Sequence, residues 1–487
     1  MKKKIFKFAS LFLLIILCCP LFLTSCGQAS AAKNLYQIKA TYDDKEKSLS
    51  CEQSVTYVNN SDNILEEICF FLYANAYNEG TKTISAAYKD KAYPNGESFG
   101  GIKFESLKIG DEDAEYFLSE DKCILTVDLN EDLYPDECAH IDMTYCISLA
   151  NINHRLGFGD NAVNFGNFFP IACVYEDGFV KNKFTSNGDP FYSDVSDFEV
   201  DISCNDKYVV AATGDKSEYI SNGQKVATCK AKNVRDFCFV LSEKFEVLSQ
   251  EVDGVLVNYY FYDDQNPEKY LQTAIKALLT FEKFFGDYPY RQLSVVKTNF
   301  CFGGMEYSNL VMINDQIADV EMYNYVIVHE IAHQWWYGMV GNNEYADSWV
   351  DEGLTEFSTA LFFENNEEYG IEYDTIMANA VGTYKNFVKI FEKINGTVDE
   401  SMNRDLSEFS TEPEYVNIAY TKGMLLFDAL RNSMSDRKFF RCLQNYLKEF
   451  KFKNSSPEKL IDSFSKSAHT NLSKFFKAWI DGSVVIE

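Results

Sequence analysis

From residue 34 to about 245, apolar and polar positions alternate in short runs separated by turn residues. The stretch "SLSCEQSVTYVNN" (48–60) alternates and then enters "NNSDN", as a half-buried strand entering a turn would. "EICFFLY", "KCILTVDL", "HIDMTYCISL", "DFEVDISC" and "FCFVLSEKFEVLS" add further strand-like runs, and "NGES", "SNGD" and "SNGQ" supply turns between them. No short internal period points to a propeller or solenoid. The pattern predicts an N-terminal antiparallel β domain, a saddle or sandwich, over residues 34–245.

The period changes near residue 250. "NPEKYLQTAIKALLTFEKFFGDYPY" predicts a helix with Asn266 as cap, Pro267 in its first turn and Gly286 as stop. "LSVVKTNF" then reads as a strand, and "CFGGMEYSNLVMIND" as a Gly-broken turn into another. A helix is expected over 320–338, and the chain reads mostly helical to its end. Residues 246–487 are therefore expected to form one α+β domain, and the whole chain to be multidomain.

The first 25 residues break this organisation. Lys2, Lys3, Lys4 and Lys7 precede an apolar run that ends near Leu23, which is a secretory leader pattern. Its ending "LTSC" resembles a bacterial lipoprotein signal. That resemblance implies cleavage before Cys26, a lipid on Cys26, a tether over 26–33 and a chain held on the outer side of a bacterial membrane. An uncleaved anchor and ordinary cleavage further on are the alternatives.

Charge excludes a partner class. With 45 basic and 73 acidic residues, the net charge is -28, which repels nucleic acid. Beyond Cys18, Cys19 and Cys26 the chain has eleven scattered cysteines and no CxxC pair, so buried free thiols are expected.

Candidate chemistry sits in "VIVHEIAHQWW" (326–336). Two of only five histidines, His329 and His333, fall at i and i+4 on one helical face, where two imidazoles can meet one zinc ion. Glu330, about 100° round the helix, can reach an attacking water without being a ligand. A catalytic zinc takes three protein ligands. Glu352, in "DSWVDEGLTEFSTALFF" after an 18-residue gap, is the first candidate for the third; Asp351 and Glu356 compete with it.

"HEIAH", 18 residues and then "EG" resemble the gluzincin zinc aminopeptidases, the aminopeptidase N family that includes leukotriene hydrolase. Two further stretches match in the family's order. "GGMEY" (303–307) is similar to the Gly-x-Met-Glu-Asn motif that recognises a substrate's free α-amine, with Tyr307 in place of Asn. "YVNIAYTKG" (415–423) is similar to the segment that bears the family's catalytic tyrosine. The resemblance implies a thermolysin-like catalytic domain with one zinc held by His329, His333 and Glu352. It implies Glu330 as general base and acid, and Tyr420 as oxyanion donor with Tyr415 beside it. Glu306 would be the amine-binding carboxylate, within a substrate-binding stretch that includes Gly303, Gly304 and Met305. The helical C-terminal domain of many relatives is expected to be missing. The expected function is release of N-terminal residues from peptide substrates. Alternatives are an endopeptidase or other small-molecule hydrolase on the same scaffold, or a non-catalytic peptide-binding surface lipoprotein.

Overall fold

The structure, a computed structural model, describes residues 33–81 and 84–486. The predicted leader, Cys26 and nearly all of the tether lie outside the described residues. Strand β1 (Leu35–Asp43) shows how the alternation folds. Tyr36, Ile38, Ala40 and Tyr42 point inward and the residues between them outward, as a period of two requires. With β2 (Ser48–Val58), β3 (Gly101–Ile109), β4 (Glu112–Asp113), β5 (Cys138–Ser148), β6 (Ser196–Asn205), β7 (Asp215–Ser221) and β8 (Gln224–Val234), it forms an eight-stranded sheet in the order β7-β8-β6-β1-β2-β5-β3-β4. Two four-stranded sheets share its apolar core.

One pairing departs from the antiparallel expectation. β1 and β6 run parallel, Leu35 opposite Asp197 through Thr41 opposite Ser203. More than 150 residues separate them, so the long return that a parallel pair needs is available.

The run "FCFVLSEKFEVLS" divides between the two halves. Cys238–Ser242 pairs inside the β domain, whereas β9 (Glu246–Val252) opens a second sheet with β10 (Val255–Phe261), β11 (Gln292–Thr298), β12 (Gly304–Met305) and β13 (Leu310–Asn314). That sheet is mixed: β10, β11 and β13 are parallel, and helix α1 (Pro267–Phe284) makes the crossover between β10 and β11. The β-domain core continues into this sheet through Val296, Met305, Tyr307, Leu310 and Met312, so the two halves meet on shared apolar packing. The described cysteines are free thiols, and nine of the eleven are buried.

Helix α2 (Val320–Ala332) is shorter than the expected 320–338. Asp319 caps its start by accepting the Met322 amide at 2.8 Å. After His333 the chain turns tightly into β14 (Val340–Gly341), where Trp336 bridges to Val340. His333 keeps helical angles (φ −60°, ψ −17°), so its side chain still stands one turn from that of His329. The "GNNEYAD" connection holds a short helix, α3 (Glu344–Asp347), before α4 (Trp349–Asn365). Among the described residues no helix is long and apolar enough to cross a membrane.

Candidate active site

Helices α2 and α4 bring three donor atoms together. His329 Nε2 and His333 Nε2 are 3.2 Å apart, and Glu352 Oε2 lies 3.4 Å from the first and 3.3 Å from the second. Two ligands about 2.1 Å from one tetrahedral ion stand about 3.4 Å from each other, so this triangle has the size of one zinc coordination site. The Glu352 oxygen is buried with no hydrogen-bond donor, as an oxygen reserved for a cation would be. The residues fit a single zinc ion.

Each ring has a polar neighbour on its far side. His333 Nδ1 lies 2.9 Å from the Trp336 carbonyl and 3.1 Å from the Thr355 hydroxyl; donating to the carbonyl leaves Nε2 bare and facing the triad. His329 Nδ1 lies 3.0 Å from Glu356, whose carboxylate also accepts from the Tyr325 hydroxyl. Glu356 is thus the support behind a ligand and not a ligand itself. Asp351 turns away and accepts from Asn342 at 3.1 Å.

Charge in the site is predominantly acidic. Burial pushes Glu330 up to about 7, against the pull of His329 and His333. Burial also raises Glu306 well above the carboxylate range. It would raise Glu352 too, but His333 and His329 hold that carboxylate down at about 2. Burial would lower both imidazoles, yet Glu352 and Glu356 raise His329 well above its ordinary range, and Glu306 and Glu352 raise His333 to about 10. The surrounding carboxylates favour positive charge at this spot, and a dication supplies it.

Glu330 and Glu306 both feel the charges of the triad. Both are buried, and each has one carboxylate oxygen without a partner, Oε2 of Glu330 and Oε1 of Glu306. Gly304 lets β12 pass beside Glu330: a Cβ there would stand 2.4 Å from Glu330 Oε1. At Gly303 a Cβ would meet only Val326 at an ordinary 3.6 Å, so no close contact demands glycine. Met305 is buried, and its sulfur accepts from Arg155 Nε at 3.0 Å. Tyr307, the departure from the motif, points into the β domain, where Gly166 makes room: a Cβ at that glycine would lie 2.0 Å from the Tyr307 oxygen. Gln334 Nε2 holds the carbonyls of Glu306 and Tyr307, at 3.3 and 3.1 Å, so the strand keeps its backbone anchors despite the tyrosine.

Tyr420 lies in a π-helical turn, Val416–Thr421, the kind of insertion that often marks functional sites. Its ring is parallel to that of His329, with centroids 5.9 Å apart, and its hydroxyl donates to Glu352 Oε1 at 2.5 Å. Tyr415 is buried edge-on against Tyr420 and fills the space above Gly188. The glycines of "DEGL" and "TKG" prove to be one contact. A Cβ on Gly353 would lie 2.8 Å from the Gly423 Cα, so α4 and α5 (Lys422–Asn432) touch backbone to backbone beside Glu352.

A cleft of about 300 Å³ opens on this group and is lined by His329, Glu330, Gly303, Gly304, Tyr415 and Tyr420, among others. It is also lined by two β-domain residues that no sequence pattern marks: Asp189 and the buried Arg155 that pairs with it. Their pairing is made within the β domain, and only the packing of that domain on the catalytic half brings them to the cleft.

The family model for the peptidase family M1 domain matches residues 270–479. Human endoplasmic reticulum aminopeptidase 2 is 26% identical over 235 residues, 44% of this chain and 23% of that protein. Mouse aminopeptidase B is 28% identical over 210 residues, 40% of this chain and 31% of that protein. The chain thus matches between about a quarter and a third of the length of these relatives. Among solved structures, the M1 zinc metallopeptidase of Deinococcus radiodurans superposes with a TM-score of 0.68 at 17% identity, covering 93% of this chain and 94% of that one. A mutant form of the Deinococcus enzyme bound to a Tyr-Ser-Ala substrate superposes at 0.66, with 17% identity and coverage of 93% and 94%. The two-domain architecture is shared almost end to end, and residues 270–479, most of the catalytic half, match the peptidase family M1 domain.

Proposed function

We propose that this chain is a zinc aminopeptidase that releases N-terminal residues from peptides. The observation that carries the reading is the position of Glu306. Its unpartnered, buried carboxylate oxygen lies within electrostatic reach of His333, Glu330 and Glu352, and an entering α-ammonium would find its counter-charge there. Zinc, held by His329, His333 and Glu352, supplies Lewis acidity toward water and the scissile carbonyl. Glu330 takes the proton of the attacking water on its carboxylate and passes it to the departing amine. Its burial-raised proton affinity suits a group that must accept and then release a proton near neutral pH. The Tyr420 hydroxyl, resting on Glu352, is the donor available to the oxyanion as charge develops. Glu306 fixes the substrate's first residue and so selects which peptide bond reaches the triad. Bound zinc measured alongside hydrolysis of leucine p-nitroanilide, before and after chelation and after zinc restoration, tests the reading. One zinc per chain and restored activity are expected; full activity in metal-free protein would contradict it.

We also propose that the chain is exported and carries lipid on Cys26, which would hold the enzyme on the outer side of a bacterial membrane. The support is the leader and its "LTSC" ending. Mass spectrometry of membrane-derived protein should find a diacylglycerol-modified Cys26, and Cys26→Ser should abolish membrane retention. An unmodified N-terminus well beyond residue 26 would refute it.

A further inference from the structure

The segments that carry Glu306 and His333 are both gripped by one dipeptide of the β domain. Arg235 and Asp236 lie in the turn between β8 and Cys238–Ser242, and both are buried, at 2% and 1% exposure. Arg235 Nε donates to the Tyr337 carbonyl. Its Nη1 donates to the Ser193 carbonyl at 2.8 Å and to Asn454 Oδ1 at 2.5 Å, and its Nη2 to the Lys453 carbonyl at 2.8 Å. Asp236 accepts the Tyr337 hydroxyl on one oxygen and the Ser308 amide, at 2.9 Å, on the other. The Arg235 amide donates to the Ser308 hydroxyl at 3.1 Å.

Tyr337 comes four residues after His333, and Ser308 two residues after Glu306. Gln334, next to His333, ties the same two segments directly: it holds the carbonyls of Glu306 and Tyr307, and its oxygen accepts the Asn309 amide at 2.7 Å. The grip is built for close approach. A Cβ on Gly341 would stand 2.1 Å from Arg235 Cζ, so the guanidinium rests on bare backbone. Tyr337 has φ 142°, a conformation that residues with side chains adopt only where their surroundings enforce it. Arg235 on its carbonyl and Asp236 on its hydroxyl hold it there together with the turn's own backbone hydrogen bonds.

We propose that Arg235 and Asp236 are positioning residues that set the spacing between His333 and Glu306 from outside the catalytic half. Neither is among the cleft-lining residues or the three donors. The β domain thereby defines how far the amine-binding carboxylate stands from the metal site. The consequence for substrates rests on the aminopeptidase reading; the consequence for His333 stands without it. A cluster that merely stabilised the fold would change the melting temperature and leave both segments as they are.

The test uses the full chain with zinc bound and the variants Tyr337→Phe, Asp236→Asn, Arg235→Lys and Arg235→Ala. Tyr337→Phe removes one hydroxyl and keeps the core filled, so the outcome does not depend on the arginine variant folding. Zinc release to a chelator, measured well below the melting temperature, should be about tenfold faster in Tyr337→Phe and Asp236→Asn. The preference for free over N-acetylated leucine anilide should fall by a similar factor, through kcat more than KM, with Arg235→Lys retaining more of it than Arg235→Ala. Wild-type release rates in Tyr337→Phe and Asp236→Asn would overturn the proposal, whatever their melting temperatures. A wild-type protein with no preference for the free amine would refute the aminopeptidase reading, and the release rates would still decide the positioning claim.

Discussion

His329 and His333 stand four residues apart at the end of one helix, and Glu352 follows in the first turn of α4. Glu306, by contrast, follows a two-residue strand whose surroundings come from far along the chain: Gln334, Asp236, Arg235 and the glycine at 166. The metal triad is set by helix periodicity and one helix–helix contact. The Glu306 segment is set by tertiary hydrogen bonds from both halves. A site of the first kind keeps its spacing through local structure, with only the segment after His333 braced from afar, whereas one of the second kind depends on distant residues throughout.

The largest effects should come from the triad. His333→Ala and Glu352→Ala should lose zinc and fall to background hydrolysis, because the two remaining donors cannot complete a tetrahedral site. Stoichiometric zinc and full turnover in Glu352→Ala would transfer the ligand role elsewhere and break the comparison. Glu330→Gln should keep its zinc and lose about 10²–10⁴ in kcat, the range for a missing acid–base group. Tyr420→Phe should cost about 10²–10³ in kcat with KM little changed. Since its hydroxyl also rests on Glu352, a small rise in zinc release is expected with it.

Gly353→Ala probes the helical side of the comparison. A methyl group directed at the Gly423 backbone must push α4 from α5, an overpacking cost of about 1–3 kcal/mol. Thermal unfolding should show that loss, and kcat/KM should drop modestly because Glu352 is the neighbouring residue. An unchanged melting temperature would mean that the helices do not touch as described.

The same contrast explains what could be read from the sequence. The β domain was legible because one-sided burial enforces strict alternation, as in β1. The His pair and Glu352 were legible because their spacing is helical. The parallel β1–β6 pair was not, since strand order leaves no mark within either strand. The early end of α2 was hidden because "HQWWYG" is as apolar as the helix before it; the turn is closed by its own backbone hydrogen bonds, with Arg235 added on the Tyr337 carbonyl. Glu356 looked like a competing ligand because helical spacing alone cannot tell a carboxylate in front of an imidazole from one behind it. Asp189 and Arg155 left no signal, being brought to the cleft by the fold alone.

The central claim is that Glu306 converts a zinc hydrolase into an exopeptidase, and one comparison tests it most directly. Leucine p-nitroanilide and its N-acetyl form are hydrolysed by zinc-loaded wild type and Glu306→Gln, with zinc content measured in both. Acetylation removes the charge that Glu306 would pair with and adds bulk where the ammonium would sit. Wild type should cleave the free amine at least about a hundredfold faster, and Glu306→Gln should lose most of that ratio while retaining zinc. Equal rates on the two substrates with wild type, or an unchanged ratio in Glu306→Gln, would contradict the account.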